Sequence, residues 1–211
     1  MSTRRIVIIG GGVIGLNVAY QLAQRNAGKI TLLEKESVGD GASLRAAGIG
    51  THLMWSETGV LARKIGFSLF RSFGRDWNDF TFHDEQGCLN MIAKESWPAR
   101  ESLLPMYDRL DVPYEVLSAG EIRRRWPALQ PRPDHVGLYD PLGGYSEPTE
   151  FVPALTNRVR ELGVEIVAGA AVEEFLLQGD AVVGVRTKND VFNADVVVSA
   201  VHAWSLPLWR D

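Results

Sequence analysis

The sequence predicts an α/β protein organised around a parallel sheet, and three observations carry that prediction. An apolar run, Ile6-Val7-Ile8-Ile9, enters a glycine cluster, Gly10-Gly11-Gly12-Val13-Ile14-Gly15. A helical pattern follows at Leu16, Ala19, Tyr20, Leu22 and Ala23. A second apolar run, Ile30-Thr31-Leu32-Leu33, then ends on an acid, Glu34. Strand, tight turn, helix, strand and carboxylate in that order form the βαβ unit that binds the ADP part of a dinucleotide.

Each residue of the unit has a physical task. Gly10 permits a sharp turn out of the strand, where a side chain would clash. Gly12 lets the backbone come close to a pyrophosphate, and Gly15 lets the helix pack tightly on the strands. The helix N-terminus turns its unpaired N–H groups and roughly half a positive charge towards the phosphates. Glu34 lies nineteen residues beyond Gly15, close to the ~20 at which a carboxylate meets a ribose 2′-hydroxyl. A 2′-phosphate would be repelled there, which argues against NADP.

The later elements follow in order. Residues 35–52 are rich in glycine and alanine, a composition that gives a backbone close access to something flat or anionic. Residues 56–77 read as a helix with apolar positions at Val60, Leu61, Ile65, Leu69 and Phe73. Strands are expected over 80–82 and 88–92, and a helix over 95–110. Ser118-Ala119-Gly120-Glu121 has the form of a capping box that opens a short helix. The proline- and glycine-rich stretch 127–148 interrupts the pattern, and 150–162 returns to a helix. Segments 164–167, 171–175, 181–187 and 191–192 suit a small β-meander. Residues 194–200 read as a buried strand, nearly continuous in apolar residues as in a parallel sheet.

Composition narrows the function classes. A formal charge of −4 argues against a nucleic-acid binder, and Arg123-Arg124-Arg125 reads as a solvated helix face. The single cysteine, Cys88, excludes an internal disulfide framework, and no Cys/His cluster has zinc spacing. Arg4-Arg5 before an apolar stretch has the outline of a leader peptide, but glycines interrupt it and the βαβ pattern accounts for every residue. No apolar run reaches the ~20 residues of a membrane-spanning helix. The expectation is a cytoplasmic protein.

The order of these elements resembles the flavoprotein amine and amino-acid oxidoreductases of the D-amino-acid oxidase type. That group includes glycine oxidase, sarcosine and dimethylglycine dehydrogenases and the beta subunit of dye-linked proline dehydrogenase. Four blocks carry the likeness across nearly the whole chain. The glycine cluster with Glu34-Lys35 is the first, and Gly41-Ala42-Ser43-Leu44-Arg45-Ala46-Ala47-Gly48-Ile49, similar to the family's flavin loop, is the second. The third is Leu117-Ser118-Ala119-Gly120-Glu121-Ile122-Arg123-Arg124-Arg125-Trp126-Pro127. The fourth runs from Gly143-Gly144-Tyr145-Ser146-Glu147-Pro148 through Gly163-Val164-Glu165-Ile166 to Val196-Val197-Val198-Ser199-Ala200.

The resemblance implies a Rossmann-like FAD-binding domain, a parallel sheet with a β-meander, plus part of an α+β substrate domain. The FAD-binding domain would comprise 1–78 and 145–211, and the substrate domain 79–144. Gly10, Gly12, Val13, Ile14 and Gly15 would hold the FAD pyrophosphate and Glu34 the adenosine ribose, with Lys35 near the adenine end. Ala42, Ser43, Arg45, Ala47, Gly48 and Ile49 would lie along the pyrophosphate, ribityl chain and flavin. Val172 falls where the family's backbone contacts adenine, and Ala200 ends the strand that returns towards the dinucleotide. The implied activity is oxidation of a C–N bond of an amino acid or a secondary or tertiary amine, by hydride transfer to flavin N5.

Two departures qualify the likeness. Covalent members carry a flavin-linking histidine before Ala-Ala-Gly. Arg45 stands there in this chain, so FAD is expected to be non-covalent, and His52 reads as a surface or core residue. Family members read Asn-Ala-Ala-Gly-Ala-Trp after the late strand, whereas this chain has Ser199-Ala200-Val201-His202-Ala203-Trp204, so histidine replaces a glycine. No motif supports a catalytic residue, and His83, Asp84, Glu85 and His135 read as surface residues.

The family's chains are much longer. This one corresponds to the N-terminal half: a truncated chain, the product of a broken gene, or one piece of a split protein. Its partner would then be the C-terminal half or another subunit, facing Trp204 and Trp209. Two other readings stay open: an FAD-dependent hydroxy-acid or glycerol-phosphate dehydrogenase, and a non-catalytic FAD-binding subunit.

Overall fold

The computed structural model describes residues 3–208. Strand β1 (Arg5–Ile9), helix α1 (Val13–Gln24) and strand β2 (Lys29–Glu34) form the opening βαβ unit. Strand β3 (Ile49–Gly50), helix α2 (Glu57–Asp76), and strands β4 (Phe82–His83) and β5 (Cys88–Ile92) come next. Two short helices, α3 (Trp97–Glu101) and α4 (Leu104–Arg109), precede β6 (Glu115–Ser118), α5 (Ala119–Arg125), β7 (Val136–Asp140) and β8 (Gly144–Ser146). The chain continues through α6 (Pro148–Glu161), β9 (Glu165–Ala168), β10 (Val172–Gln178), β11 (Ala181–Thr187), β12 (Val191–Asn193), β13 (Val196–Ser199) and α7 (Ser205–Leu208).

The described residues fall into two compact units, one drawn from 1–47 and 148–211 and the other from 48–147. In the first, four parallel strands lie in the order β13-β1-β2-β9. Val7, Ile9 and Leu33 pack with Ala170, Val185 and Ala194 of the antiparallel meander β10-β11-β12 and its flanks. Ile8, on the opposite face, points at α1, where it lies under Gly15. With both faces covered, β1 and β2 are buried almost end to end, so their sequences are continuous apolar runs rather than alternating ones. Each such side chain contributes about 1.5–3 kcal/mol on burial.

The second unit is built from two three-stranded sheets, β3-β8-β4 and β5-β7-β6, all of whose pairings are antiparallel. Helix α2 opens on Ser56, whose hydroxyl accepts the Gly59 N–H. Its Phe67 packs on His52 and Phe82, and Val60 joins Leu53, Tyr107, Val112 and Leu138 in the core. The Ser118–Glu121 capping box forms as expected, each side chain bonding the other's backbone N–H.

The structure departs from the sequence reading at several places. The single helix expected over 95–110 is two, because Pro98 and Pro105 each sit in a first helical turn, where their missing N–H costs nothing. The strand near 80 is displaced to β4. The stretch 127–148 is not merely a break but supplies β7 and β8. Segment 164–167, expected in the meander, forms β9 and extends the parallel sheet beside β2. Strand β13 is parallel as expected, but among the described residues it pairs on one side only, and Val196 is 37% exposed. The two compact units meet at 47/48 and 147/148, with α2 and β3 in the second.

Candidate dinucleotide site

The glycine turn shows why each glycine is there. Gly10 has φ +106°, and a Cβ on it would lie 2.6 Å from the Ala200 carbonyl oxygen. A Cβ on Gly15 would run into the Gly10 carbonyl oxygen. Those two positions are closed by packing. Gly12, the N-cap of α1, differs: within 4 Å a Cβ would meet only Ser43 Oγ, at 3.2 Å. The space in front of Gly12 is therefore open enough for a phosphate to approach the backbone, and the turn fits a dinucleotide.

The electrostatics suit an anion. The first turn of α1 carries no acidic residue and Gly12 offers no side-chain cap. Ser43 Oγ takes the Val13 N–H at 2.9 Å. The other N–H groups of a first helical turn lack intrahelical partners, and the helix dipole adds partial positive charge there. Gly10 donates to Leu33 O at 2.8 Å and Gly39 to Gly11 O at 3.0 Å, which fixes the turn to β2 and to the following loop.

Glu34 is tied to the same turn. Its Oε2 accepts the Gly11 N–H at 2.7 Å and its Oε1 the Glu36 N–H at 3.0 Å. Each carboxylate oxygen keeps a lone pair, so the held side chain can still accept from a ribose diol. Lys35 Nζ lies 3.5 Å from Glu36 Oε1 and 3.7 Å from the centre of the Trp204 ring. Trp204 is 61% exposed; Trp209 lies outside the described residues. Ala170 N–H bonds Glu34 O at 2.8 Å, which brings Val172 at the start of β10 towards the end of β2, and Ala200 N–H bonds Ile9 O at 2.8 Å. His202 follows with φ +48°, the left-handed conformation that favours glycine, at the position where the family carries one.

In the loop after Glu36, Ala42 and Ala47 are exposed and Ser43 is half-buried. Arg45 folds back on its own loop, bonding Gly41 O at 2.9 Å and Asp40 Oδ1 at 3.0 Å. Ile14 is 65% exposed beside the turn. Gly10, Gly12, Val13, Ile14, Gly15, Glu34, Lys35, Ser43, Val172 and Ala200 thus gather at the carboxyl end of the parallel strands, where ligands bind in open α/β sheets. Gly48, at φ +67°, and Ile49, paired with Tyr145 in β3, belong to the second unit.

Within that second unit lies a buried polar cluster that sequence reading missed. Asp140 is fully buried and accepts hydrogen bonds from Thr51 Oγ1 (2.9 Å), His52 N–H (2.6 Å), His52 Nδ1 (3.1 Å) and Leu142 N–H (2.9 Å). Because a carboxylate only accepts, the His52 proton sits on Nδ1. Burial pushes the Asp140 pKa up, but the hydrogen bonds from His52 and Thr51 outweigh it and hold the carboxyl below its ordinary value. The Cys88 thiol beside it is pushed up by burial and then by the Asp140 charge. Asp140-Pro141-Leu142-Gly143 does carry a turn signal, since an Asp side chain that bonds the N–H two residues on is an Asx turn. His83 stacks on Tyr145, Asp84 pairs with Arg71 and His135 accepts from Arg132. Among the described residues no group of three or more acids, histidines or cysteines could hold a metal, and no helix is long and apolar enough to cross a membrane.

A βαβ turn with a latched acid, a parallel sheet and an adjoining meander define an FAD-binding oxidoreductase fold. The FAD dependent oxidoreductase family, DAO, matches residues 5–211, and the chain belongs to it. It is 29% identical to 4-methylaminobutanoate oxidase (formaldehyde-forming) of Paenarthrobacter nicotinovorans, over 97% of this chain and 25% of that one. It is 27% identical to sarcosine oxidase subunit beta of an Arthrobacter species, over 92% of this chain and 50% of the relative. Among solved structures, L-proline dehydrogenase from P. horikoshii superposes with a TM-score of 0.89 at 24% identity, covering 98% of this chain and 55% of that one. The chain therefore spans a quarter to about half of the proteins it matches.

Proposed function

We propose that the chain is the FAD-binding portion, with part of the substrate domain, of an enzyme that oxidises a C–N bond in an amino acid or methylated amine. The observation that carries this reading is the open Gly12 backbone beside a Glu34 latched to Gly11. Gly10, Gly12, Val13, Ile14 and Gly15 take the pyrophosphate and Glu34 the ribose. Lys35 and the Val172 backbone flank the adenine, while Ala42, Ser43, Arg45, Ala47 and Ala200 complete the cofactor contacts. When bound, FAD supplies the acceptor for the hydride removed next to the substrate nitrogen. The protein's part is to fix that cofactor and exclude water around it.

FAD is held without a covalent bond in this reading, since Arg45 stands where covalent members carry histidine. In this reading 1–78 and 145–211 belong to the FAD-binding domain and 79–144 to the substrate domain. A cytoplasmic setting fits the single cysteine. A second subunit belongs to the same proposal, supported by the likeness to a protein named as a beta subunit.

The test is the visible absorption spectrum of the purified chain before and after FAD is added. Flavin bands that travel with the protein through gel filtration and are released by acid are the expected result. A folded, colourless protein that ignores FAD would overturn the reading.

A further inference from the structure

Arg100, on α3, is an arginine only 6% exposed. Its Nη2 donates to the Leu53 carbonyl at 2.5 Å. Its Nη1 is enclosed and has no hydrogen-bond partner. Among the described residues no carboxylate pairs with it; on the same unit Arg109 pairs with Glu57, and Lys64 donates to the Leu110 carbonyl. A guanidinium cannot shed its proton to escape burial, and a buried charge is retained when something pairs with it.

The surroundings show how the pairing group would enter. The Trp55 ring lies over the guanidinium, 4.4 Å from its central carbon to the ring centre, yet Trp55 is 64% exposed. The backbone beneath it is pinned: Tyr107, fully buried, donates its hydroxyl to Met54 O at 2.8 Å, and Asp140 holds Thr51 and His52. The exposed indole stacks on the guanidinium through its face. An outward turn of the exposed indole is the movement by which a ligand would reach the guanidinium.

We propose that Arg100, covered by Trp55, is a binding site for a small carboxylate in the second unit. One unpaired positive charge matches one carboxylate, and the planar guanidinium edge at Nη1 suits its paired oxygens. A single guanidinium charge matches a monoanion better than a phosphate dianion. This inference is independent of the FAD reading.

The experiment titrates the full chain with acetate, with acetamide as the neutral isostere and chloride at matched ionic strength as the salt control. Tryptophan fluorescence is followed in parallel with Trp55→Phe to assign the signal. Acetate is expected to give a saturable change that acetamide and chloride do not. Arg100→Lys should weaken it about tenfold, because lysine keeps the charge but loses the fork. Arg100→Met should abolish it and raise the melting temperature, the opposite of what a purely structural arginine would do. Trp55→Ala, a change at an exposed position, should leave the fold intact and bind acetate at least as tightly, by thermal shift. Equal acetate response in folded Arg100→Met, or none above chloride in both wild type and Trp55→Ala, would overturn the proposal. An FAD titration on the same samples reports the dinucleotide site separately.

Discussion

Glu34 at the end of β2 accepts the Gly11 N–H in the turn after β1, at 2.7 Å. The acid is thus part of the turn as well as a candidate ribose ligand. Replacing it by alanine removes two charge-assisted bonds to backbone N–H groups. We expect Glu34→Ala to lower stability by about 1–2 kcal/mol and to weaken FAD about tenfold or more. Urea unfolding and flavin-fluorescence titration read the two effects. Unchanged FAD affinity would remove Glu34 from the site.

The glycines separate packing from binding. Gly15→Ala and Gly10→Ala force a methyl group into a carbonyl oxygen, and each should cost about 3 kcal/mol or more. Gly12→Ala meets only Ser43 Oγ, so its cost should stay near ~1 kcal/mol. Its FAD affinity should nevertheless fall at least ~tenfold. A Gly12→Ala protein that binds FAD normally would show that phosphate does not approach there.

Asp140 gives a pH dependence with a definite sign. Its folded-state pKa is depressed, against about 3.9 for an unfolded aspartate. Its stabilisation is therefore complete above that value and is lost as pH falls through the folded-state value. Asp140→Asn should flatten this acid limb. At neutral pH it should cost about 3 kcal/mol, since His52 and Thr51 lose a buried ionised partner. Urea midpoints measured across an acid pH series test both points; an unchanged acid limb would show that Asp140 does not set it.

His202 holds a left-handed backbone at φ +48° without being glycine. Relief of that conformation, reduced by the extra freedom glycine gives the unfolded chain, should make His202→Gly more stable by about 0.5–1 kcal/mol. A thermal melt decides it, and a lower melting temperature would show that the histidine side chain makes a compensating contact.

Much of the first unit could be read from sequence because its signals are local. Both faces of β1 and β2 are buried, so periodicity disappears and the strands announce themselves as apolar runs. The glycines between them are set by a turn only six residues long, from Gly10 to Gly15. The second unit was less legible. β3, β4 and β8 are two or three residues each, too short for any period, and they pair across intervals that no window spans. Pro98 and Pro105 are plain in the sequence, but a proline in a first helical turn is compatible with a helix and does not by itself mark the break between α3 and α4. β9 looked like its meander neighbours, because only its pairing with β2 distinguishes the two sheets.

The βαβ unit, its glycine turn, the acid that closes it and the order of the main helices are legible in residue types alone. Those follow from residue types a few positions apart. Long-range packing sets the rest: Asp140 gathers Thr51 and His52 from 88 or 89 positions away, β9 joins the parallel sheet and Arg100 is buried with Nη1 unbonded. An acid, a histidine and an arginine look the same in sequence whether solvated or enclosed. Burial and pairing arise from long-range packing, and they set what those charges can do.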